Sequence, residues 1–123
     1  MLFFGTGNTF LLIKEWFFDM KLIVVGASGY IGKQLYRTSK KLFLTYGTSS
    51  SGRGDLLTLK LDDLYTFNLE TVQPRDVICL TAAISSPDIC SNDQERAWAV
   101  NVTGTIEFIT RVIKKGGRII FFS

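Results

Sequence analysis

Three glycines at fixed spacing constrain this chain more than any other feature: Gly26-Ala27-Ser28-Gly29-Tyr30-Ile31-Gly32. The run follows the apolar stretch Lys21 to Val25, KLIVV, which reads as a buried strand. It precedes Tyr30 to Ser39, a helix-type pattern that closes on Lys40 and Lys41. Each glycine has a physical task in a strand–turn–helix bend. Gly26 permits the tight turn, Gly29 lets backbone approach a bound group, and Gly32 lets the helix lie close on the sheet. The amides at such a helix start have no internal partner and attract anions. A second glycine pair, in GTGNTF at residues 5–10, has neither a preceding strand nor a third glycine.

The rest of the chain alternates strand and helix signals. LFLTYG (residues 42–47) reads as a second strand, and TSSSGRG (48–54) as a polar loop. LLTLKL (56–61) reads as a third, shorter strand, and residues 62–73 as a weak helical connection closed by Pro74. Val77 to Thr81 gives a fourth strand. A helix is expected from Asn92, a candidate cap with Glu95 three residues on, to Lys115 before Gly116-Gly117. Its apolar stripe is read as Trp98, Val102, Ile106, Ile109 and Ile113. GRIIFFS is a fifth strand. Apolar strands separated by helices predict a parallel sheet covered on both faces. The fold class is therefore α/β, a Rossmann-type doubly wound parallel sheet of about five strands. Residues 20–123 would form it, and residues 1–19, aromatic-rich and aperiodic, are read as an extension upstream of Met20, the alternative being a short helix over an apolar face of the domain.

Composition excludes several classes of function. Lys and Arg number 14 against 11 acids, a net charge of +3. That is too little and too scattered for nucleic acid. The chain has no His, and its two cysteines, Cys79 and Cys90, form no CxxC, so no metal site is expected. Cys79 lies in an apolar run and reads as a core thiol; a reducing cytoplasm follows as the expected location. No apolar stretch approaches a membrane span.

A glycine turn of this kind in a βαβ context predicts a bound dinucleotide. Its expected contacts are Gly26, Ser28, Gly29, Tyr30, Ile31 and Gly32. The acid that would bond the adenosine ribose of NAD is expected about twenty residues past the first glycine. No acid stands near Tyr46-Gly47; Thr48, Ser49, Ser50 and Arg53 follow instead. Hydroxyls and a guanidinium suit a ribose 2′-phosphate, which favours NADP, with NAD the alternative.

With these motifs in order, the chain resembles the extended short-chain dehydrogenase/reductases, the NAD-dependent epimerase/dehydratase superfamily that includes dTDP-4-dehydrorhamnose reductases. Leu61-Asp62 resembles the end of the third strand, whose acid meets adenine; Asp63 leaves that assignment open by one residue. Asp76 to Ala83, DVICLTAA, resembles the strand whose Ala82-Ala83 loop lines the cofactor. Asn101 to Thr105, NVTGT, resembles a segment of the following helix. Gly117 to Ser123 resembles the strand leading to a catalytic Ser or Thr, with Ser123 adjacent to that position.

The resemblance implies hydride transfer between nicotinamide and the hexose of a nucleotide sugar. It also implies a Tyr-x-x-x-Lys pair on a later helix, with tyrosine as general acid/base. Tyr36–Lys40 is the one pair here with that spacing, on the first helix, and is read as coincidence. No catalytic residue is therefore assigned within the chain, which is expected to bind dinucleotide without turnover. The alternative is a non-catalytic, redox-sensing dinucleotide module. A homodimer through the helix of residues 92–115 is a further implication of the resemblance.

Overall fold

A computed structural model describes residues 20–81 and 94–122. The expected upstream segment 1–19, Ala82, Ala83, Cys90, the Asn92 cap and Ser123 lie outside the described residues, as does the side chain of Asn101. The strands are β1 Leu22–Val25, β2 Thr45–Ser49, β3 Leu57–Thr58, β4 Val77–Leu80 and β5 Arg118–Phe121. The helices are α1 Tyr30–Ser39, α2 Gln94–Trp98 and α3 Thr105–Lys114, the last two joined by a π-helical turn, Ala99–Gly104. All five strands form one sheet in the order β3-β2-β1-β4-β5. Every pairing is parallel. The chain runs outward from β1 in one direction, then returns to build the other side from β4. That reversal is the topological switch point of a doubly wound sheet.

Strand alternation divides the core in two. Ile23 and Val25 of β1 face one way with Ile78 and Leu80 of β4, and pack with Phe108 and Val112 of α3. Leu22 and Val24 face the other way with Cys79, and pack with Leu35 and Tyr36 of α1. The Phe108 ring is fully buried and meets Phe67 edge to face, with centroids 6.5 Å apart.

The strand starts share one polar anchor. The Asp76 carboxylate is fully buried. It accepts the Lys21 amide at 3.2 Å and the Gln73 amide at 2.8 Å, and pairs with the Lys21 ammonium. Its main-chain oxygen accepts the Arg118 amide at 2.8 Å. One residue thus aligns the starts of β1, β4 and β5. A buried charge with this many donors is satisfied; losing a partner typically costs about 3–5 kcal/mol.

Three expectations are corrected. The second strand starts at Thr45 and runs through Ser49; Leu42 and Leu44 are exposed and belong to the turn after α1. Their apolar character invited the earlier start, but the Leu22 amide bonds the Leu44 carbonyl and pairing proper begins one residue later. The third strand is only Leu57–Thr58, because Leu59 and Leu61 turn into the core. The helical stripe also differs. Trp98, Ile106 and Ile113 are exposed, whereas Ala97, Thr105, Phe108 and Val112 face the sheet. The helix is apolar on two sides, and the π-turn rotates the register between α2 and α3.

Two truncations on α3 test this face assignment. Phe108→Ala is expected to cost about 3–5 kcal/mol in urea unfolding, and Ile106→Ala less than about 1 kcal/mol. Equal losses would contradict it.

Candidate functional site

The Lys21–Val25 strand and the helix after it converge on the glycine turn. Gly26 has φ +88°, a left-handed conformation open to glycine. The amides of Gly26 and Ala27 both donate to the Thr48 carbonyl, at 3.1 and 2.8 Å. The Gly29 amide donates back to the Gly26 carbonyl at 3.1 Å. Gly32 meets the same carbonyl from above. A Cβ there would overlap Gly26 O and sit 2.7 Å from Thr81 Oγ1. No side chain can occupy that gap while the turn keeps its shape.

The helix start is bare. Gly29 is the N-cap of α1, no side chain caps it, and no acid lies in its first turn. The amides of Tyr30 and Ile31 have no internal acceptor among the described residues. Ser28, Gly29, Tyr30 and Ile31 are exposed, so this end opens to solvent. A Cβ on Gly29 would only touch Gly26 O at 3.4 Å. Gly29 is thus free of packing demands, and its lack of a side chain leaves the approach to the amides clear. Unpartnered amides, the positive end of the helix dipole and open backbone are the features that attract an anion.

Thr81 braces the turn and is absent from the contacts expected from the sequence. Its hydroxyl donates to Val25 O at 2.6 Å and lies 3.3 Å from Gly26 O. It clamps the end of β4 to the turn across the switch point. A threonine at the end of an apolar strand was the available signal.

The remaining sequence candidates fall into three places. Thr48 is fully buried and its Oγ1 has no partner among the described residues; its carbonyl, not its hydroxyl, serves the turn. Ser49 is buried and its Oγ accepts the Gly52 amide at 2.9 Å. Both lie beside Gly26 at the end of β2. Arg53 is exposed on the loop that follows. Asp62 lies elsewhere: it lines a cavity of about 260 Å³ with Leu61, Asp63, Tyr65, Glu107 and Arg111, a lining that includes no residue of the glycine turn.

Tyr36 and Lys40 do converge, but on Asp55. The Tyr36 hydroxyl donates to Asp55 Oδ2 at 2.8 Å and Lys40 Nζ donates to the same oxygen at 3.1 Å. Burial and the bond to Asp55 hold the Tyr36 phenol above its ordinary pKa. The bonds from Tyr36 and Lys40 hold the Asp55 carboxyl below the usual carboxylate range. Cys79 is a free thiol that burial pushes up, away from reactivity. No cluster of metal-ligating side chains occurs among the described residues. No helix among them is long and apolar enough to cross a membrane.

The family model described as NAD dependent epimerase/dehydratase family matches residues 22–123. The chain belongs to that family. Solved structures agree on the fold of this epimerase/dehydratase-family chain. A hypothetical dTDP-4-dehydrorhamnose reductase from Sulfolobus tokodaii is 25% identical with a TM-score of 0.71, over 85% of this chain and 39% of that one. The dTDP-4-dehydrorhamnose reductase of Bacillus anthracis, in complex with NADP, is 18% identical with a TM-score of 0.65, over 80% and 34%. The UDP-glucose 4-epimerase of Thermus thermophilus, in complex with NAD, is 17% identical with a TM-score of 0.65, over 79% and 35%. The chain therefore spans little more than a third of the length of these proteins. No curated protein matches it.

The glycine geometry predicts unequal effects of adding one methyl. Gly32→Ala is expected to destabilise the chain by about 3 kcal/mol in chemical denaturation, because backbone must move. Gly29→Ala is expected to stay within about 1 kcal/mol of wild type, its Cβ meeting only an ordinary contact. Equal tolerance would remove the close approach from the account.

Proposed function

We propose that residues 20–123 are the dinucleotide-binding part of an NAD(P)-dependent reductase, epimerase or dehydratase acting on nucleotide sugars. The observation that carries this reading is the uncapped start of α1, with the Tyr30 and Ile31 amides unpartnered above a turn that excludes side chains at Gly32. A cofactor diphosphate fits that cradle by charge and by space. Family membership supports the same ligand class, as do the relatives solved with NAD or NADP. When bound, the nicotinamide would exchange hydride with a sugar carbon.

This chain's own residues divide the binding work. Ser28 to Gly32 take the diphosphate, and Gly29 leaves it room. Thr48 and Thr81 hold the turn through main-chain oxygens. Arg53 is the cation for a ribose 2′-phosphate, so NADP is preferred over NAD. By the family resemblance Ala82 and Ala83 are proposed to line the cofactor and Asp62 to meet its adenine end, from a cavity whose lining includes no residue of the glycine turn. The substrate is proposed to be a nucleotide sugar, bound by parts of a longer protein, and the protein to work in the reducing cytoplasm as a homodimer.

The alternative reading is a dinucleotide module without catalysis. On either reading residues 20–123 are proposed to bind the cofactor.

Calorimetric titration of NADPH and NADH into the chain tests the proposal. Binding of both, NADPH the tighter, is expected, with Gly29→Ala folded but weakened at least about tenfold by loss of close backbone contacts. A wild-type chain that takes up neither at high micromolar cofactor would overturn it.

A further inference from the structure

One helix runs from the diphosphate end of the proposed cofactor site to Asp55 at the close of the loop that carries Arg53. The first turn of α1 carries the bare amides at Tyr30 and Ile31, its last turn carries Tyr36, and Lys40 is its C-cap. Six residues of helix separate Tyr30 from Tyr36, about 9 Å of rigid rise. Tyr36 and Lys40 hold Asp55, which closes the loop that leaves β2 beside the glycine turn.

Leu56 packs against the Leu22–Val24 side of the core and anchors the far end of that loop; between it and Ser49 the ties are few. Arg53 lies between Gly52 and Gly54, with φ of +63° and +65°. Two left-handed glycines give the segment great freedom in the unfolded state. Its internal ties are the Gly52 amide to Ser49 Oγ at 2.9 Å and the Leu56 amide to the Arg53 carbonyl at 3.2 Å. A Cβ at Gly52 would run into Thr58 Oγ1, so the backbone there passes tightly over β3. Beyond Gly54 the first fixed point is Asp55. Its carboxylate takes two donors from α1, and Lys40 Nζ also lies 4.8 Å from the centroid of the Tyr36 ring.

We infer that Asp55, Tyr36 and Lys40 form a latch that holds the 50–54 loop so that Arg53 is presented to a ribose 2′-phosphate. They are positioning residues for cofactor choice, and none of them touches the cofactor. The inference rests on the dinucleotide reading of the glycine turn and deepens it. Exposed ion pairs add little to global stability. The effect of the latch is therefore expected in the order of one loop and in discrimination between ligands. Tyr36 also packs close to Gly47, where an added Cβ would come within 3.0 Å of its ring, so the latch end of α1 is itself held against β2. Ordering of the loop before binding spares the ligand that cost.

Two probes separate the ends of the site. Adenosine 2′,5′-bisphosphate carries the 2′-phosphate, and adenosine 5′-monophosphate lacks it. In the wild-type chain the bisphosphate is expected to bind more tightly. Asp55→Ala is expected to weaken the bisphosphate by about fivefold or more, the equivalent of ordering one backbone residue, and to leave the monophosphate unchanged. Asp55→Glu, which keeps the carboxylate, is expected to recover part of the preference. In the ligand-free chain Asp55→Ala is expected to speed hydrogen exchange at the Gly52 amide without moving the melting temperature appreciably.

Unchanged discrimination in a variant that binds both probes would overturn the latch. So would equal weakening of the two probes, which marks a merely structural role, or an unchanged Gly52 exchange rate. A wild-type chain that binds both probes equally well removes Arg53 as the selecting cation and overturns the inference. A wild-type chain that binds neither removes the dinucleotide reading itself.

Discussion

The contact between Gly32 and the Gly26 carbonyl sets the geometry on which everything else in this fold rests. It brings α1 down onto the end of β1 at a distance that only a hydrogen at Gly32 allows. Because α1 lies so low, its first amides emerge at the rim of the sheet and not above it. The turn is braced from both neighbours: from β2 by the Thr48 carbonyl and from β4 by the Thr81 hydroxyl. These braces come from the two strands that flank β1 across the switch point, where a doubly wound sheet opens a crevice. The site is thus a product of the topology, and the glycines make it accessible.

Anchors at the opposite end of the strands keep that rim in register. Asp76 gathers the starts of β1, β4 and β5 through its carboxylate and its main-chain oxygen. The two apolar layers then fix the sheet between α1 on one face and α3 on the other. Burial supplies most of the stability, at about 25 cal/mol for each Å² of apolar surface removed from water. The polar contacts decide alignment. This division explains why a rim residue such as Gly29 carries no packing duty and is free for ligand approach.

Much of this was legible in the sequence, and the physical reasons are specific. The helix Tyr30–Ser39 is delimited on one side by a glycine N-cap and on the other by lysines, and the structure gives those bounds. Parallel strands buried on both faces leave unbroken apolar runs, so β1 and β4 were visible as KLIVV and DVICL. The strand of residues 45–49 was placed too early, because its true residues are small and polar while the preceding turn is leucine-rich. The face of the 94–114 helix was misjudged because both sides carry isoleucine or tryptophan and a π-turn breaks the period. Within the site, a GxxGxxG spacing reads directly as a turn, since each glycine acts locally. The Asp55 cluster was not readable. Its members lie 15 and 19 residues apart in sequence, and only the packing of α1 on β2 brings them together.

The bare start of α1 is proposed to grip a diphosphate. Amide resonances of residues 28–32 report on it directly. In a proton–nitrogen correlation spectrum of the chain titrated with NADPH, the Tyr30 and Ile31 amides are expected to shift most and to saturate with the added cofactor. Shifts confined to the cavity around Asp62 and Glu107, with Tyr30 and Ile31 unmoved, would contradict the account.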